Sequence, residues 1–247
     1  WNHVEVTKLL PKTSVFITIL RKPVEQFISM YYSFKMGEFY GVDIHRFLSG
    51  PNISEEYNEF RRKWGVSGRN PMLYDFGLLP SDHRNMTAIR DKILEIDSIF
   101  HLVMLTDRFL ESLVLMKNLL NWDVWDVVTY RLNQSKYRPT NDTFSDRELD
   151  LLGSWLWADQ LLYDHFASKF EEQVKRFGRQ QMDEELRNLT NAIDVMNKTC
   201  FNHPRRYFRR APCLHYNVSE DYLTRYSWES QVGRITGDYL ASDEEYH

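Results

Sequence analysis

The chain has 247 residues, 43% hydrophobic and 15% aromatic, which suits one large α/β domain, or a main domain with a small appendage, around a real core. Its formal net charge of -4 argues against a general nucleic-acid binder and leaves room for a local basic pocket. No stretch approaches the roughly 20 apolar residues of a membrane span.

Residues 15–20, VFITIL, form an apolar, β-branched run of the kind found in buried parallel strands. Pro23 then occupies the first position of a helix over 24–34, whose apolar residues Val24, Phe27, Ile28 and Tyr31 recur at helical spacing. A short helical piece at 44–48 is broken by Gly50-Pro51-Asn52, and 54–64 reads as an amphipathic helix. After a loop over 65–71, Ile89, Ile93 and Ile96 mark a helix over 87–97. Residues 100–105 read as a second buried strand, with Asp107 as N-cap of a helix to about Leu120. Residues 145–177 read as a long helical region carrying Leu149, Leu152, Trp155, Leu156, Leu161, Leu162 and Phe166. Beyond Gly178 the chain turns polar, then basic at Arg205-Arg206 and Arg209-Arg210. Repeated strand-then-helix units predict an α/β fold with a central parallel sheet flanked by helices, a core over 1–178 and a C-terminal appendage of the same domain over 179–247.

Asn-X-Ser/Thr occurs seven times, at Asn52, Asn85, Asn133, Asn141, Asn188, Asn197 and Asn217. Random placement of 14 Asn and 29 Ser plus Thr in 247 residues would give about 1.6, so the excess points to glycan acceptors in a secretory lumen. Cys200 and Cys213 are the two cysteines, a count that fits one disulfide in an oxidising compartment. Zinc with His203 and His215 is the alternative.

Arg21 stands at the carboxyl end of the first strand, where parallel α/β sheets place their ligands, and its guanidinium fork matches a phosphate. Ser29, about two helical turns into the next helix, adds a hydroxyl donor. The competing reading pairs Arg21 with a carboxylate and makes Ser29 a packing residue. Asp75-Phe76-Gly77 spells the kinase metal-binding triplet, but no Gly-rich loop precedes it and no His-Arg-Asp loop exists. His45, His83, His101 and His165 are scattered, and a satisfied helix histidine is the reading for His165. Trp122, Trp125, Trp155 and Trp157 offer sugar stacking or core packing. The Arg205–Arg210 run reads as a solvated face, with an acidic glycan or lipid head groups as the other reading.

The segment LRKPVEQFISMYYSF, with eight residues from Arg21 to Ser29, resembles the 3'-phosphate-binding segment of sulfotransferases that use 3'-phosphoadenosine 5'-phosphosulfate. NPMLYDFGL (70–78), FHLVMLTDRFLESLVLMKNLLNW (100–122), DVVTYRLN (126–133) and WADQLLYDHFASKF (157–170) extend the likeness, in order and spacing, to the galactose 3-O-sulfotransferase family. The resemblance covers about residues 2–170. It implies a sulfotransferase-type, P-loop-like fold and a lumenal Golgi enzyme held by an N-terminal signal-anchor as a type II membrane protein. The implied reaction transfers sulfate from that donor, without a metal, to the 3-hydroxyl of terminal galactose on a glycolipid or glycan. It also implies that Arg21 and Ser29 hold the 3'-phosphate and that Arg131 and Asn133 lie close to the nucleotide. A glycan on Asn133 would conflict with that role, so this sequon is expected to be unoccupied.

Such enzymes carry a Lys/Thr/Ser-rich loop for the 5'-phosphosulfate after the first strand, with a lysine and a nearby histidine as the expected catalytic groups. This chain, opening Trp1-Asn2-His3 without Met, is expected to begin after that loop, to be inactive without it and to have left its anchor behind. Two alternatives stay open. One is sulfation of another sugar position, as in the uronyl 2-O-sulfotransferases. The other is a secreted, non-catalytic glycan-binding remnant of the fold.

Overall fold

The computed structural model describes residues 3–49, 69–129 and 142–198. The chain falls into two compact units, Trp1–Leu189 and Thr190–His247. The described part of the second is the end of a helix, at residues 190–198.

The α/β class and parallel sheet expected from the sequence are found, with helices dominating and a sheet of two strands among the described residues. Strand β1 (Ile17–Leu20) pairs in parallel with β2 (Leu102–Leu105), Ile17 opposite Leu102 and Leu20 opposite Leu105. All four β2 residues are buried, as expected for the strand at 100–105, whereas Ile19 of β1 is 45% exposed, so the strand expected at 15–20 is present but only partly buried. The physical reason is coverage. Helices α7 (Phe109–Leu120) and α9 (Trp157–Phe177) pack on β2.

Short α1 (His3–Thr7) precedes β1. Helix α2 (Pro23–Ser33) follows it with Pro23 at its first position, where the missing N–H costs no hydrogen bond. Its buried side, Phe27, Ile28, Met30 and Tyr31, meets Ile44, Phe47 and Leu48 of α4 (Ile44–Ser49) and Leu152 and Leu156. Rings of Phe27 and Phe47 stack with centroids 6.4 Å apart. Between these helices, α3 (Met36–Tyr40) is entered through Lys35 in the left-handed region, φ 53°.

Helix α5 (Pro71–Asp75) and α6 (Met86–Ile99) lead to β2, and α7 ends at Leu120 with Asn121 in the left-handed conformation (φ 53°). The helical region expected over 145–177 is found as two helices, α8 (Asp146–Trp155) and α9, separated at Leu156 (φ -105°, ψ 19°). The break has a partner far back in the chain, 88 residues before Ala158. Asn70 Oδ1 accepts from the Ala158 and Asp159 amides at the start of α9, at 3.1 and 3.2 Å. Asp159 accepts in return from the Met72 and Leu73 amides at the start of α5, both at 2.9 Å. Each buried side chain therefore caps the other's helix, satisfying N–H groups that helices leave unpaired at their start. Beyond Gly178 (φ 97°) the polar tail begins as another helix, α10 (Arg179–Met196), with Met182 and Leu189 buried and Lys117 of α7 2.9 Å from Glu185. No helix among the described residues is long and apolar enough to cross a membrane.

Candidate functional site

The carboxyl ends of β1 and β2 lie side by side, because Leu20 is in register with Leu105. Arg21 and Lys22 leave β1 there, and the 3-10 turn Thr106–Arg108 leaves β2. Three cations thus gather at one sheet end, and their partners separate them by availability.

Arg108 is committed. It grips Glu111 through Nε and Nη2, donates from Nη1 to Glu171 at 2.6 Å, and lies 5.1 Å over the Phe170 ring. The Glu111 hydrogen bonds, followed by Glu171, hold its charge still more firmly than usual. Lys22 is held loosely, its Nζ 3.6 Å from Asp107 Oδ2, and half its side chain is exposed. Arg21 Nε stands 3.7 Å from Glu25 Oε2, beyond hydrogen-bond range, with 34% of the side chain exposed. The carboxylate alternative for Arg21 is therefore present as a long, weak pair that an incoming anion can replace. Ser29 is half-buried one turn beyond Glu25 on the same side of α2, and its hydroxyl bonds no other described residue.

Asp107 is not the N-cap expected for the helix after β2. That place falls to Arg108, without a side-chain cap. Asp107 is engaged elsewhere: Tyr163 of α9 donates its hydroxyl to Oδ1 at 2.7 Å, while Oδ2 faces Lys22. Burial first, then the adjacent carboxylate, pushes the Tyr163 phenol up, so it stays a donor at neutral pH. Lys22, Asp107 and Tyr163 thereby tie together the exits of both strands and α9, a link that no sequence spacing announces.

The other sequence candidates fall as follows. Arg131 and Asn133 lie outside the described residues, as do Asn52, Asn141, Asn217, Cys200 and Cys213. Asn85 and Asn188 are exposed, and Asn197 is half-buried. Asp75 closes α5, and no group of His, Cys, Asp and Glu among the described residues is arranged to hold a metal. His165 is 3.2 Å from Asp97, which also takes Lys169. His101 accepts from the Phe16 amide at 3.2 Å, and buried His83 faces the Leu78 carbonyl at 3.3 Å. Trp122 and Trp125 stand past the far end of α7, opposite the strand exits, and Trp155 lies under Arg69.

His45 makes the one histidine arrangement with two carboxylates among the described residues. Nδ1 is 2.7 Å from Glu148 and Nε2 is 2.9 Å from Asp142, whose second oxygen accepts the Tyr32 hydroxyl at 2.7 Å. Hydrogen bonds to Glu148 and then to Asp142 raise its pKa. Glu148 in turn is pulled down to about 2, chiefly by Ser145, with which it forms the capping box of α8.

The model of the family described as "Galactose-3-O-sulfotransferase" matches residues 1–213. Human "Galactosylceramide sulfotransferase" is 31% identical over 210 residues, covering 82% of this chain and 48% of the relative. Mouse "Galactose-3-O-sulfotransferase 3" is 30% identical over 81% of the chain and 48% of its own length. Mouse "Galactose-3-O-sulfotransferase 2" is 29% identical, over 83% and 52%. The chain spans about half the length of these curated relatives. No solved structure matches it. With the family model matched over most of its length, the chain belongs to the galactose-3-O-sulfotransferase family.

Proposed function

We propose that the protein transfers a sulfuryl group from 3'-phosphoadenosine 5'-phosphosulfate to the 3-hydroxyl of a terminal galactose, on a glycolipid or glycan, at the lumenal side of the Golgi membrane. The strand exits described above are its 3'-phosphate site. Arg21 supplies a bidentate cation and Ser29 a hydroxyl, and Arg131 and Asn133 stand by the nucleotide. The observation that carries this reading is the contrast among the three cations: Arg108 is saturated by two glutamates, while Arg21 is accessible and held only at long range.

In the reaction the galactose oxygen attacks sulfur in line with the departing phosphate oxygen. The hydroxyl proton passes to a base as the S–O bond to the nucleotide breaks. Little covalent work falls to the protein, so placing the donor and balancing its charge do most of the catalysis. Arg21 serves the placement by fixing the nucleotide at the end remote from sulfur. Binding energy spent there orients the reacting group.

The test is calorimetric binding of adenosine 3',5'-bisphosphate and adenosine 5'-monophosphate to the complete protein. The bisphosphate binds more tightly, and Arg21→Ala removes most of that preference. About 2 kcal/mol, or roughly thirtyfold, is expected, because a one-third-exposed guanidinium is worth the lower end of the range for charged hydrogen bonds. Equal affinity for the two nucleotides in the unsubstituted protein sinks the assignment.

A further inference from the structure

We propose that Asn85 carries an N-linked glycan whose first sugars lie over the apolar groove between α6 and α9. Three of the seven sequon asparagines are described, and their surroundings differ. Asn197 is half-buried, with its Oδ1 enclosed and unbonded. Asn188 is exposed in the middle of α10. Asn85 is exposed at the start of α6, where its Oδ1 accepts from the Thr87 and Ala88 amides at 3.1 and 3.3 Å.

That geometry suits the modification. The cap uses only the amide oxygen, so Nδ2 stays available and glycosylation leaves the helix start intact. In the transfer, a lipid-linked oligosaccharide diphosphate supplies the sugar. The bond from its anomeric carbon to the diphosphate oxygen breaks, a bond from that carbon to Nδ2 forms, the amide loses one proton and the diphosphate leaves. Thr87 supplies the third sequon position and is itself exposed.

The groove supplies the second, independent observation. It begins at Met86, the residue after Asn85, and continues along Ile93 and Leu94 of α6 to Leu161 of α9, with Arg90 and His165 as its polar members. Leu94 is 60% exposed, Met86 41% and Leu161 37%. The space is about 330 Å³, at the small end of small-ligand sites and fit for one or two sugar rings. An N-acetylglucosamine offers its C–H face and acetyl methyl to the leucines and methionine, and its hydroxyls to Arg90. Tethered one residue from the groove, it needs little intrinsic affinity, because attachment makes the contact intramolecular.

The full chain, produced in a eukaryotic secretory pathway, is digested with trypsin, and the peptide Asn85–Arg90 is examined by mass spectrometry. A glycan is expected there, with Asn85 converted to Asp when the amidase acts on the whole chain before trypsin, while both peptide bonds of Asn85 are intact. Thr87→Ala abolishes it without touching the cap, and Thr87→Ser restores it. An unmodified Asn85 overturns the site. For the cover, binding of a hydrophobic fluorescent dye to the folded protein is expected to rise at least twofold in Thr87→Ala. The rise disappears when Leu94→Glu is added. Enzymatic release of the glycan from the unsubstituted folded protein gives the same rise without any substitution. Equal dye signal with and without the glycan overturns the cover and leaves the groove to another partner.

Discussion

His45 donates from both ring nitrogens only as an imidazolium. When neutral, one nitrogen turns a lone pair toward a carboxylate, Asp142 or Glu148. Its folded pKa is raised above 6.5. The stabilisation is therefore complete below the unfolded value and is lost as pH rises through the folded one. Since the side chain is 40% exposed, His45→Gln should cost about 1 kcal/mol near pH 6 and little at pH 9. Urea unfolding of both proteins across that range checks it; a gap that widens with pH contradicts the assigned charge state. At the strand exits, Tyr163→Phe removes one hydrogen bond to Asp107 and should cost about 1 kcal/mol. Its preference for the bisphosphate nucleotide should survive, because Arg21 is untouched. Arg21 and Ser29 were legible from their place after a strand and in a helix. The availability of Arg21 was not, because it turns on Glu25 standing 3.7 Å away rather than closing on it, and the contrast with Arg108 rests on Glu171, 63 residues from Arg108.

Among the elements, the paired helix starts at Asn70 and Asp159 carry the sharpest expectation. Asn70 combines a left-handed backbone, φ 50°, with a cap to the other helix. Asn70→Gly should lose the cap alone, and Asn70→Ala should add the left-handed penalty. Alanine is then the worse by about 1 kcal/mol in urea unfolding. Burial pushes the Asp159 carboxyl up to about 7, against the pull of its two backbone amides. This group binds a proton in the folded chain that the unfolded chain releases near pH 4, so its contribution to stability falls as pH rises from about 4 to 7. The helix pattern after β1 could be read directly, since Phe27, Ile28 and Tyr31 recur at helical spacing and are buried. The split at Leu156 could not, because apolar residues continue through it and the cap that divides α8 from α9 comes from residue 70. Helix α10 was readable after all: Met182, Leu186, Leu189, Ile193 and Met196 recur every three or four residues, a period masked by the polar residues between them.

For the molecule as a whole, charge is arranged against its own sum. The chain is net acidic at -4, yet Arg21 and Lys22 form an accessible basic point. Nucleotide binding should therefore weaken as salt is raised, and weaken less steeply in Arg21→Ala; an affinity indifferent to salt would place the anion elsewhere. Core packing sets the other global limit. Phe27 is 1% exposed at the junction of α2 and α4, and Phe27→Ala should cost about 3–5 kcal/mol, a large part of the stability of an ordinary domain. The α/β class followed from two apolar runs, each followed by a helix. The uneven burial of the strands did not, since it is set by α7 and α9 lying on β2.

The exchanged caps also impose an order in time. As the chain leaves the ribosome, α5 emerges with its first amides unpaired and stays so until residue 159 has been made, 87 residues later. Neither helix start can be finished before the other exists. Residues 71–75 thus gain their cap only once residue 159 is present.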